Sequence, residues 1–212
     1  MATVSMTHRK IAEAATRLFA EKGTAQISVS ELAQAAGVAR GTVYKSFPTP
    51  GDLFEEIAAQ LADHLHKRLA GSTDGPREPA QCLADGLRHF VKQAHEHPEW
   101  ARFVVRFGIA HGLLRGLWEG QPAIDLASGL ESGRFRFERQ QIPSILAMIA
   151  GTGLSAMFMV LEGHKTWRDA GADAAEFVLR AVGLDAEEAR RIAHSELPPL
   201  SGCGTRHSSR GE

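Results

Sequence analysis

The sequence has few cysteines, and they do not suggest a disulfide framework. Cys82 and Cys203 are the only two in 212 residues, and they lie far apart in the chain. A secreted scaffold of this size is expected to carry several closely spaced cysteines. The first ten residues also lack the apolar run that follows the positive charges of a signal peptide. We therefore expect a reduced, cytoplasmic protein.

The sequence also lacks the short motifs that carry much of enzyme chemistry. It contains no glycine-rich phosphate loop, no nucleophile elbow and no His-Glu-x-x-His segment. The histidine pairs His64/His66 and His95/His97 resemble chelates, but residues two apart on a helix point in nearly opposite directions. We expect no metal and no cofactor, and an enzyme with an apolar pocket remains one alternative.

Long hydrophobic runs are scarce, with one exception. Residues 142–161 form a stretch of 20 residues without a charge, which is long enough to cross a membrane. Pro143, Ser144, Thr152 and Ser155 interrupt it, and neither an aromatic belt nor a basic cluster flanks it. We therefore expect a helix buried in protein and no membrane partner.

Neither sign of charge dominates, since the net charge is −1, but the charges are unevenly distributed. Residues 1–47 carry six cations and three carboxylates, a net charge of +3, which leaves −4 for the remainder. A basic N-terminal region on an acidic body is typical of a nucleic-acid-binding module joined to another domain.

No alternating strand pattern and no long repeat is present, whereas apolar residues recur at helical spacing, so we predict an all-α fold. A first helix is predicted to end at Gly23. Ser28 and Glu31 form a capping box that begins a second helix, which Gly37 ends. The apolar face of the first helix consists of Ile11, Ala14, Ala15, Leu18 and Phe19.

A third short helix is predicted from Ala39 to Phe47, and a fourth begins at Pro50 and runs to Leu69. On a helical wheel, the apolar residues of the third helix gather on one side and its polar residues on the other. A capped helix, a glycine turn and a second helix together have the layout of a helix-turn-helix, whose second helix enters the major groove of DNA. The alternative is an exposed helix with two incidental cations.

These residues also carry a family resemblance. Residues 7–67 resemble the DNA-binding domain of TetR-type (tetracycline-repressor-like) regulators in the order and spacing of several segments. These segments are Ile11-Ala-Glu-Ala-Ala-Thr-Arg-Leu-Phe, Glu21-Lys-Gly, Val29-Ser-Glu-Leu-Ala-Gln-Ala-Ala-Gly-Val, Gly41-Thr-Val-Tyr, Phe47 and Asp52-Leu-Phe.

The resemblance implies a repressor that binds double-stranded DNA at a palindromic operator as a homodimer. It places the third helix in the major groove, with Arg40 and Lys45 at base edges and the other polar residues at phosphates. The implied DNA-binding residues are Ser28, Ser30, Arg40, Gly41, Thr42, Tyr44, Lys45 and Ser46. Two positions depart from the family pattern: Ala39 replaces a capping serine, and Pro50 replaces a phosphate-binding lysine.

Three segments are predicted: a DNA-binding domain at residues 7–67, a ligand-binding and dimerisation domain at 77–200, and a disordered tail at 201–212. Small side chains recur every four residues along the long apolar helix from Ser144 to His164, so two such helices could approach closely. The resemblance implies that this helix and the helix predicted at Ala174–Leu184 form the dimer interface, whereas the residues alone also allow an internal core helix of a monomer. The interface residues are Ala147, Gly151, Ser155 and Phe158.

A pocket for a small-molecule effector is expected in the second domain, because its aromatic and sulfur side chains are sufficient to line an apolar cavity. The same side chains could instead form an ordinary core, and the protein could be a structural DNA-binding dimer that senses nothing. The candidate ligand residues are Trp100, Phe103, Phe107, His111, Trp118, Met157, Glu162 and His164.

Overall fold

The computed structural model describes residues 6–24, 26–49, 53–57, 59, 78–108 and 120–199. Helices joined by turns and short irregular segments make up these ranges, and no strand occurs within them. The all-α prediction is therefore confirmed. Pro50, His111, Trp118 and the tail from residue 201 lie outside the described residues.

Three helices form the N-terminal unit: α1 (Met6–Lys22), α2 (Val29–Ala36) and α3 (Arg40–Ser46). Residues 53–57, here called the connecting segment, are also helical. The predicted ends of α1 and α2 are confirmed, since Gly23 and Gly37 both adopt the left-handed conformation that ends a helix. Apolar side chains of all three helices and of the connecting segment form one core, which includes Ile11, Phe19, Leu32, Val43, Phe47, Phe54 and Ile57.

The remaining described helices form a larger bundle. They are α4 (Pro79–Glu96), α5 (Pro98–Phe107), α6 (Gln121–Glu131), a 3-10 turn (Arg139–Gln141), α7 (Ile142–Leu161), α8 (Trp167–Ala181) and α9 (Ala186–Ala193). Helix α8 begins earlier than the sequence predicted. The reason is that the Thr166 hydroxyl accepts a hydrogen bond from the Asp169 amide and caps the helix there.

The apolar helix α7 satisfies the length and composition of a membrane span. Its inner side, however, packs into the bundle core: Leu146, Ile149, Leu154 and Met157 are buried there against residues of α4 and α8. Gly153 lies on this side, where a Cβ would come within 3.0 Å of the Phe90 ring. This half-buried arrangement is that of a helix in the core of a globular domain.

Helix α5 joins the two units. Phe103 and Phe107 belong to the N-terminal core, where Phe103 lies between Phe19 and Phe54 at ring-centroid distances of 6.2 and 5.4 Å. Arg106 also donates a hydrogen bond to the Ala20 carbonyl near the end of α1, at 3.1 Å. The second unit is therefore packed directly against α1.

Candidate nucleic-acid interface

The turn between α2 and α3 sets the direction of α3. Gly37 has φ +61°, and the amides of Gly37 and Val38 donate to the carbonyls of Gln34 and Ala33. Ala39 then adopts an extended conformation at the N-cap of α3 but offers no side-chain acceptor. The missing cap inferred from the sequence is thus a feature of the structure.

Two apolar side chains fasten α3 to the N-terminal core. Val43 and Phe47 are both 0% exposed, and the His8 ring stacks on Phe47 with centroids 4.3 Å apart. The predicted core positions of Val43 and Phe47 are confirmed, whereas Ala39, predicted on the same side, is exposed. A side chain that is fixed in this way holds the opposite face of a short helix in a defined orientation.

The outer face of α3 contains the six predicted contact residues of this helix. Arg40, Gly41, Tyr44 and Lys45 are exposed, and Thr42 and Ser46 are half-buried at its edges. No described residue outside α3 lies within 4 Å of the position that a Gly41 Cβ would occupy, so a partner could approach the backbone there. In the part of the chain that the structure describes, Arg40 and Lys45 pair with no carboxylate. Both charges therefore remain available to an anionic partner.

At the start of α2, the Ser28 hydroxyl is already hydrogen-bonded within the protein, so it is less available to a phosphate than the sequence suggested. The Ser28 hydroxyl donates to a Glu31 carboxylate oxygen at 2.8 Å and accepts from the Glu31 amide at 3.2 Å, which completes the predicted capping box. Lys22 also donates to this carboxylate, and the hydrogen bonds from Lys22 and Ser28 lower the pKa of Glu31 to about 2. A phosphate at Ser28 would have to compete with Glu31, whereas the Ser30 hydroxyl makes no such bond among the described residues.

The six candidate ligand residues that the structure describes are not brought together in one place. Phe103 and Phe107 lie in the N-terminal core, so their apolar character reflects packing against α1 and not the lining of a cavity in the second unit. Met157 is fully buried in the bundle core, and Trp100 packs edge-on against Phe90 at 6.3 Å. Two further candidates, Glu162 and His164, are exposed at the end of α7.

The predicted interface residues, by contrast, share one side of α7. Ala147, Ser155 and Phe158 are exposed and Gly151 is half-buried, while the other side of the helix faces the core. Among the described residues, no atom of another element lies within 4 Å of a Cβ added at Gly151. Phe158 is 47% exposed and Phe177 on α8 is 59% exposed. This outer side of α7 is an apolar surface with small residues along it.

Sequence patterns missed two buried polar residues in the second unit. Asp125 on α6 is buried, and this burial raises the pKa of its carboxyl to about 6 although Gln121 donates a hydrogen bond to it at 2.8 Å. His89 on α4 is also buried, at 4% exposure. Both occupy core-facing positions of amphipathic helices, which is the signal that could have identified them.

Comparison with known proteins covers both units. Residues 11–57 match the family model described as "Bacterial regulatory proteins, tetR family", and residues 78–195 match "Tetracyclin repressor-like, C-terminal domain". The chain is similar to the HTH-type transcriptional regulator AcrR of Shigella flexneri, with 45% identity over 87 residues that cover 41% of this chain and 40% of that protein. It is 34% identical to the regulator EthR of Mycolicibacterium smegmatis over 93 residues, 42% of this chain and 41% of that protein. The chain thus spans about two fifths of the length of these two relatives.

Similar solved structures extend over almost the whole chain. The regulator RolR, in complex with the ligand resorcinol, is 30% identical with a TM-score of 0.68, and the match covers 92% of this chain and 96% of that one. A TetR-like regulator from Rhodococcus sp. RHA1 has a TM-score of 0.69 at 18% identity, covering 87% of this chain and 100% of that one, and this match shows the fold alone.

Proposed function

This chain belongs to the TetR family of transcriptional regulators, and from this premise we propose that it is a cytoplasmic repressor that binds a palindromic operator as a homodimer. Residues 7–67 would bind DNA, and residues 77–200 would hold the dimer together and bind an effector. The matched proteins are regulators, and the outer face of α3 offers binding groups for a nucleic acid.

The observation that carries this proposal is the division of α3 into two faces. Val43 and Phe47 anchor one face completely in the core, while Arg40 and Lys45 extend from the other without a carboxylate partner among the described residues. A guanidinium matches the two acceptors of a guanine edge, and an ammonium suits a phosphate or a single acceptor. A fixed helix with these groups is suited to the major groove.

The size of the reading surface supports a homodimer. A helix of seven residues contacts a single half-site, and a symmetric pair of such helices reads a palindrome. The outer side of α7, with Ala147, Gly151, Ser155 and Phe158, supports a contact between two copies because its small residues permit close approach. We propose that this side, together with the exposed Phe177 of α8, forms the dimer interface.

We further propose that a small apolar or amphipathic effector releases the protein from DNA. An effector weakens operator binding only if it binds more tightly to a conformation in which the two reading helices are wrongly spaced. Resorcinol is a reasonable first candidate, because RolR has been solved with this ligand and is 30% identical over most of both chains. Helix α5, which contacts α1 directly, is a route by which a change in the second unit could reach the first.

The test is a fluorescence anisotropy titration with a labelled palindrome from the DNA upstream of the protein's own gene. We expect two protomers per palindrome, binding that survives excess competitor DNA, and affinity that falls steeply as salt is raised because phosphate contacts release counterions. Resorcinol is then added to the preformed complex. Binding that does not depend on the DNA sequence would indicate a structural DNA-binding dimer and not a repressor. No binding to any duplex would refute a DNA-binding function.

A further inference from the structure

A cleft lies on the bundle, away from α3, between α4, the beginning of α8 and the segment of residues 193–199 that follows α9. Arg88, His89 and Lys92 line it from α4, and Trp167 and Arg168 line it from α8. Asp169, His194, Ser195 and Glu196 add further polar groups, and an apolar wall is formed by Ala172, Ala193, Leu197, Pro198 and Pro199. The cleft therefore combines polar groups with an apolar surface, as small-molecule sites do.

One polar group at this cleft has no partner. His89 is only 4% exposed, and its Nδ1 atom makes no hydrogen bond within the described residues. Burial lowers the pKa of His89, and this effect exceeds the opposing influence of the Pro198 carbonyl, so the ring is neutral near pH 7. An unpaired buried nitrogen is costly. The Pro198 carbonyl can only accept a hydrogen bond, so the proton of the neutral ring lies on Nε2 and Nδ1 is an acceptor to which a ligand hydroxyl can donate.

The cationic groups at the cleft differ in whether they are already paired with an acceptor of the protein. Arg88 donates to Asp85 at 3.4 Å and to the Ser195 carbonyl at 2.7 Å, and Lys92 pairs with Glu96 at 2.9 Å. Arg168 instead lies over the Trp167 ring, 4.5 Å from its centroid. It has no carboxylate partner in the ranges that the structure covers.

Two carboxylates, Asp169 and Glu196, also line the cleft. Because the lining contains three cations, Arg88, Lys92 and Arg168, its net charge is positive. The Asp169 carboxylate already accepts a hydrogen bond from the Thr166 hydroxyl at 2.7 Å. A stacked guanidinium that is still free to form a bidentate pair is the group at this cleft best suited to an anionic ligand.

We propose that this cleft is a binding site for a small organic acid that carries a hydroxyl group, with the hydroxyl at His89 Nδ1 and the carboxylate at the Arg168 guanidinium. The apolar wall accommodates the body of the molecule. The site is distinct from the reading face of α3, and its occupancy can be measured without DNA.

Isothermal titration calorimetry of the full chain with 2-, 3- and 4-hydroxybenzoate and with benzoate tests the site. The three isomers place the hydroxyl at different distances from the carboxylate, and benzoate lacks the hydroxyl. We expect at least one isomer to bind roughly tenfold more tightly than benzoate, since the hydrogen bond satisfies a buried atom. His89→Phe should reduce this preference to about unity, because it removes the nitrogen and keeps a ring in its place.

Two arginines on the same helix provide a matched pair. Arg168→Gln should weaken binding of the preferred isomer by roughly tenfold through loss of a charge-assisted pair, whereas Arg180→Gln, which lies outside the cleft lining, should leave it unchanged. Arg168 is exposed, so this comparison stands even if His89→Phe fails to fold. Equal binding of all isomers and benzoate, a retained preference in His89→Phe, or equal losses in the two arginine variants would each overturn the proposal.

Discussion

At the scale of single residues, the same side-chain type behaves according to what surrounds it. Lys22 and Lys165 are held by Glu31 and Asp173, whereas Lys45 on α3 has no carboxylate partner among the described residues. Glu31 and Asp125 are both carboxylates, yet hydrogen bonds lower the pKa of the first to about 2 and burial raises the pKa of the second to about 6. Partners and burial therefore indicate which charges are free for binding.

Lys45→Ala should weaken operator binding by at least about tenfold, because it removes a cation from the face that we place in the major groove. Its thermal unfolding should stay within a few degrees of the unchanged protein, since the side chain is exposed. Lys165→Ala removes the same charge from the second unit and serves as the control. Anisotropy titrations measure the operator affinity of both variants. Equal affinities would show that Lys45 does not contact the operator.

Asp125→Asn should stabilise the protein at neutral pH. The folded-state pKa of Asp125 is raised from 3.8 to about 6, so the folded protein holds this proton more strongly than the unfolded chain. The stability that this gives is present at acid pH and is lost as pH rises through the folded-state pKa. Asparagine cannot ionise and keeps an acceptor for Gln121.

The gain in the free energy of unfolding should therefore grow between pH 4 and pH 7, to about 3 kcal/mol at most. Urea denaturation of the two proteins at matched pH values measures it, and the comparison cancels the titration of all other groups. A difference that does not change with pH would show that Asp125 ionises normally.

At the scale of helices, local signals in the sequence were sufficient for the N-terminal unit. The capping box of Ser28 and Glu31, the left-handed Gly37 and the core-facing pair Val43 and Phe47 are all confirmed. These features depend on interactions within a few residues, such as a side chain bonding to the next turn, and such interactions can be predicted from spacing alone.

The sequence did not reveal which helices pack together. Helical spacing correctly indicated that Phe103 and Phe107 are buried, but only the tertiary arrangement places them against Phe19 and Phe54 and not around an effector cavity. The cleft beside His89 was missed for the same reason, because Arg168 is distant from it in sequence and reaches it through the packing of α8 on α4.

The two sides of α7 give a prediction about assembly. Gly151→Leu should disrupt the dimer, because the added side chain enters open space in one chain and so obstructs only a second copy. Gly86→Leu is the matched control: its Cβ position is equally open, and it lies on α4, away from the predicted interface. Sedimentation velocity should show monomers for the first variant and dimers for the second. Dimers in both would place the interface elsewhere.

At the scale of the whole molecule, helix α5 makes the two units structurally dependent on each other. Phe103 is 0% exposed within the N-terminal core although it belongs to a helix of the bundle, and Arg106 fixes the end of α1 through Ala20. A displacement of α5 would therefore move α1 as well. This arrangement is a physical basis for transmitting effector binding to the DNA-binding surface.

Phe103→Ala should lower the free energy of unfolding by about 3–5 kcal/mol, the usual cost of truncating a fully buried phenylalanine. It should also weaken operator binding, since the core that orients α1 and α3 is damaged, although the residue touches no DNA. Ile124→Ala, at an α6 isoleucine that is 57% exposed and lies outside the proposed dimer interface, should leave the stability nearly unchanged. Chemical denaturation measures both, and a loss below about 1 kcal/mol for Phe103→Ala would contradict its place in the N-terminal core.

Site-specific photo-crosslinking shows whether the outer face of α3 contacts the operator. The crosslinking amino acid p-benzoylphenylalanine would replace Tyr44, which is 53% exposed on α3, or Ile124, which is 57% exposed on α6 and lies outside the proposed dimer interface. With a labelled palindrome, we predict a protein–DNA crosslink from position 44 and none from position 124. A crosslink to DNA from position 124, with none from position 44, would refute the placement of α3 in the major groove.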